Sequence, residues 1–327
     1  MSAVSRPILA LLTSISVSAA NPAAARPALS IDVDTGTVIV AHEKDRSWHP
    51  ASVTKLMTAA VALEAVRAGR MTLDTPIVFS KNAASAQPSK LGLQPGSTLP
   101  LGDALRIMLT RSMNDVAVAI AETTAGSEAS FARLMNLKAA ALAMHGSHFV
   151  NASGLHHPRQ VSTAADLAIL ARHIVVEFPE SASLFGIPSV TYAGKTFRNT
   201  NGLVGHYDGV RGMKTGYVCA SGFNLVGLAQ RGSRRIITVV LGAPNARTRE
   251  RNTAALLDNA FMATLNGRAL TSDAIAPVPA INLKPMGCGK FLKDKFSLND
   301  EISPTPSSRP RPARQWAIGG GLEDYGD

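Results

Sequence analysis

Residues 50–59 read PASVTKLMTA, and they open a segment in which apolar residues recur at helical spacing as far as Gly69. Ser52 and Lys55 stand three positions apart, so on a helix their side chains share one face. A serine at a helix start is ordinarily an N-cap. It can also be a nucleophile if a base removes its proton, and a lysine whose pKa is lowered by burial is such a base.

A second motif, SMN at residues 112–114, lies at a break between two predicted helices. Taken alone, Ser112 and Asn114 fit the C-cap of one helix and the N-cap of the next. The motif becomes a candidate for chemistry only in combination with the other two motifs, since a hydroxyl and an amide would then add polar groups to a shared site.

A third motif, Lys214, Thr215 and Gly216, follows the glycine-containing stretch GVRGM at residues 209–213. An exposed edge strand with an ordinary turn accounts for this pattern structurally. The functional interpretation requires the lysine charge and the threonine hydroxyl to face a cleft. The glycine would then let the backbone approach a ligand closely.

Composition favours a helix-rich α/β or α+β enzyme. The chain has 327 residues, of which 46% are hydrophobic but only 5% aromatic, which argues against an all-β binding module. The formal net charge of +10 is compatible with nucleic acid, an anionic envelope surface or an anionic substrate. The basic residues are scattered and no nucleic-acid module signature is present, so we expect no nucleic-acid partner.

The order of elements predicts an α+β fold with an antiparallel sheet flanked by helices. A hairpin is indicated for residues 28–41, followed by an all-helical region and then by two β-hairpins and a last helix that starts near Arg249. Residues 72–102 read as loop with short extended pieces. We therefore expect the first and last strands of the sheet to come from opposite ends of the chain.

The two ends of the chain differ in character from the centre. Residues 1–25 carry a basic start, an apolar run and small residues, which is typical of a signal peptide for export to the periplasm or cell envelope. Residues 26–265 form the predicted catalytic domain. Residues 266–327 are rich in Pro, Ser and charged residues, and we predict that they form a flexible tail. We expect no transmembrane helix in the mature chain. Whether Cys219 and Cys288 pair stays open.

Cofactor chemistry has little support in the sequence. The histidines, including the pair His156 and His157, lack the spacing of metal ligands, and no glycine-rich phosphate loop precedes a helix. We expect neither a metal nor another cofactor.

The three motifs, in this order and with these flanks, resemble the D-alanyl-D-alanine carboxypeptidase family of low-molecular-mass penicillin-binding proteins, which are serine peptidases with a Ser-x-x-Lys motif. The stretches PASVTKLMTA, SMND and KTGY carry the resemblance, which covers roughly residues 28–262. It implies a β-lactamase/transpeptidase-like fold. Met113 departs from the family pattern, in which a glycine usually stands between the serine and the asparagine of the second motif.

The resemblance implies catalytic roles for three side chains. Ser52 would attack the carbonyl between two D-alanines and form an acyl-enzyme, with Lys55 as its general base. Ser112 would relay the proton to the leaving amine. The backbone N–H groups of Ser52 and Tyr217 would form an oxyanion hole, worth about 3 kcal/mol per donor.

The resemblance also implies how substrate binds. Asn114 would hold an amide of the substrate, while Lys214 and Thr215 would bind its terminal carboxylate beside Gly216. Some family members place an arginine near that carboxylate at the position that Thr200 occupies here. The implied partners are peptidoglycan stem peptides and, as covalent inhibitors, β-lactam antibiotics.

Three alternatives to a carboxypeptidase remain. A class A β-lactamase needs a glutamate between the second and third motifs, and residues 129–176 contain none. A D,D-endopeptidase that cuts cross-links would carry the same motifs. A non-catalytic wall-binding protein of the same fold would not need all of Ser52, Lys55, Ser112, Asn114 and Lys214.

Overall fold

The computed structural model describes residues 26–273, 279–286 and 288. The predicted signal peptide, residues 1–25, lies outside the described residues. In the described part, the strands are β1 (Ala28–Asp32), β2 (Val38–His42), β3 (Pro76–Val78), β4 (Thr98–Pro100), β5 (Ser189–Tyr192), β6 (Lys195–Arg198), β7 (Val210–Val218), β8 (Gly222–Arg231) and β9 (Arg234–Ala243). The α-helices are α1 (Lys55–Arg67), α2 (Lys81–Ser85), α3 (Leu101–Arg111), α4 (Asn114–Ala125), α5 (Glu128–Ala141), α6 (Ala164–Glu177) and α7 (Ala246–Met262).

The main sheet has five strands in the order β2-β1-β9-β8-β7, all neighbours antiparallel. Strand β1 pairs with β9, with Leu29 opposite Val239, so the expected pairing of the two ends of the domain is confirmed. Strand β7, which carries the third motif, is an edge strand of this sheet. Its outer edge therefore has no neighbouring strand in the sheet, and its backbone groups there can face the site.

Both faces of the sheet are covered because apolar residues occupy consecutive positions in its central strands. On β8, Val226 belongs to the main core that α6 and the other helices share, whereas Leu225 packs on the opposite face with Leu257 of α7. Helices α1, α3, α4 and α5 pack together beside the sheet and form the all-helical region. The α+β fold with a sheet between helices is thus confirmed.

The described residues after α7 contact the domain. The N–H of Leu270 donates to the carbonyl of Gly36, and the N–H of Leu283 donates to the carbonyl of Ala220. A disulfide joins Cys219 to Cys288, with Cα atoms 4.9 Å apart, which answers the question that the sequence left open. These contacts lie beyond position 265, where we predicted the domain to end, and that boundary stays a prediction.

None of the described helices is both long enough and apolar enough to cross a lipid bilayer.

Candidate active site

Ser52 lies in the short turn of 3-10 helix that leads into α1. The preceding residue, Ala51, has φ +50°, a left-handed conformation that costs a non-glycine residue about 1–3 kcal/mol. The buried side chain of Asn224, on β8, holds this turn in place. Its Nδ2 donates to the carbonyls of His49 at 2.9 Å and Pro50 at 3.1 Å. The sheet therefore fixes the backbone from which the serine projects.

Lys55, at the first position of α1, is completely buried and its Nζ has three oxygen neighbours. These are Ser52 Oγ at 3.0 Å, Asn114 Oδ1 at 2.7 Å and the carbonyl oxygen of Ser153 at 2.5 Å. The amide oxygen and the carbonyl can only accept hydrogen bonds, so they take two N–H bonds of the amine. When the amine is neutral, its lone pair is therefore left for the serine hydroxyl.

The surroundings of Lys55 favour the neutral amine. Burial is the main cause that lowers its pKa well below the usual 10.5, and the positive charge of Lys214 lowers it further. The carboxylate of Asp115 acts in the opposite direction. It is itself bound by the backbone N–H groups of Leu91 and Gly92, at 2.9 and 2.8 Å. Lys55 thus meets the requirement for a general base.

Ser112 ends α3 with φ +70°, the left-handed conformation of a helix C-cap. Its hydroxyl oxygen accepts a hydrogen bond of 2.9 Å from Lys214 Nζ, which also donates to the carbonyl of Thr215 at 3.0 Å. Burial and the charge of Arg249 lower the pKa of Lys214 to about 7. Since Lys214 donates to Ser112, the hydroxyl proton of Ser112 is free to point to another acceptor.

Asn114, the first residue of α4, is buried with its side chain fully engaged by the protein. Its oxygen accepts from Lys55, while its Nδ2 donates to the carbonyls of Gln87 and Pro88, both at 3.0 Å. In this structure the amide oxygen helps to fix the position of the Lys55 amine. The implied contact of Asn114 with a substrate amide stays a prediction and would require one of these bonds to open.

Thr215 extends the site through a second threonine. Its Oγ1 donates to Thr200 Oγ1 at 2.7 Å. Behind this pair lies the buried guanidinium of Arg249, whose Nη2 donates to the carbonyl of Thr200 at 3.3 Å and to Glu250 at 2.8 Å. Its Nε has no hydrogen-bond partner among the described residues. Arg249 was not among the residues predicted for the site, because it alternates with Arg247 and Arg251 in a group of basic residues that resembles scattered surface charge.

Gly216 brings β7 against the N-terminus of α1. A Cβ at this position would lie 2.7 Å from the carbonyl oxygen of Pro50 and 3.0 Å from the amide nitrogen of Ser52. Only glycine allows this approach without displacing the strand. The next residue, Tyr217, is 40% exposed and packs against Phe223 with ring centroids 4.2 Å apart. The serine and the third motif therefore share one site, beside an exposed aromatic ring.

The described residues offer no metal centre: within 26–273, 279–286 and 288, no three His, Cys, Asp or Glu side chains are grouped to hold an ion. His156 instead packs edge-on against His49, with ring centroids 4.8 Å apart.

Comparisons with known proteins agree with this geometry. Residues 14–245 match the model of the D-alanyl-D-alanine carboxypeptidase family. The chain is 36% identical over 234 residues to the D-alanyl-D-alanine carboxypeptidase DacD of Escherichia coli strain K12, covering 69% of this chain and 60% of that protein. It is 35% identical over 243 residues to DacF of Bacillus subtilis, covering 72% and 62%. The chain thus spans about three fifths of the length of these relatives.

Solved structures give the same result. Penicillin-binding protein 6B of Escherichia coli is 34% identical, with a TM-score of 0.70 over 76% of this chain and 81% of that one. Penicillin-binding protein D2 of Listeria monocytogenes, in its cefotaxime-bound form, is 32% identical, with a TM-score of 0.66 over 72% of this chain and 97% of that one. By sequence and by structure, the chain belongs to the D-alanyl-D-alanine carboxypeptidase family.

Proposed function

We propose that this protein is a serine-type D-Ala-D-Ala carboxypeptidase that removes the terminal D-alanine of peptidoglycan stem pentapeptides through an acyl-enzyme on Ser52. We propose also that β-lactams acylate the same serine. The observation that carries the proposal is the position of Lys55. Two fixed acceptors hold its N–H bonds, and the remaining side of its nitrogen faces Ser52 Oγ at 3.0 Å.

Acylation would begin with transfer of the Ser52 hydroxyl proton to the neutral Nζ of Lys55. The serine oxygen then attacks the carbonyl carbon between the two D-alanines. The developing oxyanion would be held by the N–H groups of Ser52 and Tyr217. The close approach of Gly216 to the amide nitrogen of Ser52 supports this assignment.

Collapse of the tetrahedral intermediate would release the terminal D-alanine, whose amine must gain a proton. Ser112 can deliver its own proton and be reprotonated in turn, since its oxygen already accepts from Lys214. Lys214 then regains a proton from solvent, and Lys55 loses to solvent the proton it took from Ser52. In net terms one proton passes from Ser52 to the leaving amine, and Lys55 is neutral again for the second half. In the second half, Lys55 would take a proton from water, which attacks the ester, and return it to Ser52.

The terminal carboxylate of the substrate would bind Lys214 and Thr215. A buried site that holds Lys214 and Arg249 is positive, and this supports recognition of an anion. Thr200 would position the Thr215 hydroxyl, while Arg249 would supply from α7 a charge that some relatives supply from the position of Thr200.

We also propose that the protein is exported to the periplasm or the cell envelope. The apolar, small-residue stretch within residues 1–25 supports export. The disulfide between Cys219 and Cys288 supports the same location, because disulfides persist in oxidising compartments.

Labelling with a fluorescent penicillin tests the proposal. We expect label on the wild type and on Ser233→Ala, which changes an exposed serine in the β8–β9 turn, but none on Ser52→Ala. The purified protein should release D-alanine from a stem pentapeptide. Cleavage of a cross-linked dimer without release of D-alanine from the pentapeptide would identify an endopeptidase. A protein that is labelled by penicillin but cleaves neither the pentapeptide nor the dimer would contradict a hydrolytic function.

A further inference from the structure

Residues 279–286, which we call the C-terminal segment, return to the end of the sheet where the third motif ends. Leu283 is buried at 2% exposure, and its N–H donates to the carbonyl of Ala220 at 2.9 Å. Cys288 forms the disulfide with Cys219. The segment is thus attached to the β7–β8 turn at two points, only two and three residues beyond Tyr217.

The backbone of the C-terminal segment is fixed around Lys284. The side-chain oxygen of Asn282 accepts from the N–H of Lys284 at 2.9 Å, and Pro285 follows at the next position. Lys284 itself is exposed. A charged side chain is therefore presented to solvent from a backbone that is tied to the sheet.

The charge of the C-terminal segment also acts on the loop that carries His156. The charge of Lys284 is one of the causes that lower the pKa of His156, after burial and the two neighbouring imidazoles of His49 and His157. His156 packs against His49, three residues before Ser52. Lys284 therefore lies near enough to His156 for its charge to act there, and it follows directly after Leu283, which is hydrogen-bonded to the β7–β8 turn.

The direction of β7 indicates which part of a substrate passes Lys284. In the proposed function, the terminal carboxylate lies at Thr215 and the reacting carbonyl at Tyr217. An extended peptide advances about 3.3 Å per residue, as the strand does. The residue that precedes the D-Ala-D-Ala pair then comes level with Val218 and the turn to which the C-terminal segment is fastened.

We propose that the C-terminal segment is a specificity-determining wall of the site, in which Lys284 attracts a carboxylate on the peptide residue immediately before D-Ala-D-Ala. The inference rests on the proposed function, because that function fixes the direction in which the peptide lies. The disulfide between Cys219 and Cys288 holds the wall in place.

Two peptides test the inference with the full chain. They end in D-Ala-D-Ala and differ only in the residue before it, which carries either a free carboxylate or the corresponding neutral amide. An exposed ion pair is worth up to about 1 kcal/mol, so we expect the wild type to favour the carboxylate peptide by about 3- to 5-fold in kcat/KM. Lys284→Gln should bring this ratio close to 1, and Lys284→Glu should reverse it.

The matched control is Arg70→Glu, which makes the same change in net charge at an exposed position just after the far end of α1. It should keep the wild-type ratio. A ratio that is unchanged in Lys284→Glu, or that changes equally in Arg70→Glu, overturns the inference and leaves the proposed function intact. Failure of the wild type to release D-alanine from either peptide overturns the proposed function, and the inference with it.

The double variant Cys219→Ser/Cys288→Ser tests the disulfide separately. Penicillin labelling of Ser52 reports that this variant folds. If it is labelled, we expect its ratio for the two peptides to fall towards 1, because the wall is no longer fastened. A labelled variant with the full wild-type ratio shows that the disulfide does not hold the wall.

Discussion

Thr200 and Thr215 share a hydrogen bond of 2.7 Å between their side-chain oxygens, and this bond links β7 to the segment that carries the buried contact with Arg249. The Thr215 hydroxyl is therefore directed by a partner on another part of the chain.

Thr200→Val removes the acceptor and leaves the Thr215 hydroxyl without a fixed direction. We expect KM for a D-Ala-D-Ala peptide to rise about 5-fold, since a buried hydrogen bond contributes about 1 kcal/mol, while kcat changes less. Thr191→Val is the matched control because Thr191 and Thr196 form a similar bond of 3.0 Å on the exposed β5–β6 hairpin. Equal KM values for the two variants would contradict this role of Thr200.

Lys55→Met should abolish acylation without unfolding the protein. Loss of a general base costs about 10²- to 10⁴-fold in rate, measured here as the rate of penicillin labelling. Because burial lowers the pKa of Lys55 in the folded state, the unfolded chain binds more protons between that lowered pKa and 10.5, and the free energy of unfolding rises with pH in that window. Lys55→Met should therefore flatten this rise, whereas Lys81→Met, at an exposed lysine of α2, should leave it unchanged. A normal labelling rate would exclude Lys55 as the base.

Lys214→Arg should change the pH dependence of peptide cleavage. Because burial lowers the pKa of Lys214 to about 7, its charge is lost as the pH rises above 7, and the attraction for the terminal carboxylate weakens. We expect kcat/KM to decline above about pH 7 in the wild type. An arginine remains charged throughout this range, so the decline should disappear in the variant even if its maximal rate is lower. Persistence of the same decline would assign it to another group.

Gly216→Ala should separate β7 from the nucleophile. The added Cβ would meet backbone atoms of Pro50 and Ser52, which cannot rotate away as a side chain would. We expect the penicillin acylation rate to fall at least about 100-fold, the cost of losing one oxyanion-hole donor. Gly102→Ala is the control, since its Cβ would make only ordinary contacts near the start of α3. An unaffected acylation rate in Gly216→Ala would rule out close approach of the strand as a requirement.

The sheet was predictable from sequence because its strands are long, apolar and bounded by turn residues, as in the hairpin around Gly36. Helix α2 was not predicted: its five residues, capped by Ser80, are too few to show a period. For the third motif an exposed edge strand was the non-functional alternative: the motif does lie on the edge strand β7, but Lys214 and Thr215 are buried. The α+β class and the order of the helices follow from patterns that are local in the chain.

The contacts that define the site are not local in the chain, and only some of them could be predicted from the sequence. The lysine next to Ser52 could be inferred from spacing on a helix. The hydrogen bond from Lys55 to Asn114 could not be inferred from the sequence, because it depends on how α4 packs against α1. Arg249 resembles its exposed neighbours in the sequence, and its burial beside Glu250 depends on how α7 packs against the sheet.

The pairing of β1 with β9 has a consequence for how activity arises during synthesis. Ser30 and Thr238, whose hydroxyls lie 2.9 Å apart across these strands, are 208 residues apart in the chain. A nascent polypeptide that has reached α6 already contains Ser52 and Lys55, yet it lacks β9, the partner of β1, and β8, whose Asn224 binds the turn before Ser52. The surroundings of Ser52 are therefore completed only after most of the domain has been made, and a product truncated after α6 carries the serine without β7, β8 and β9.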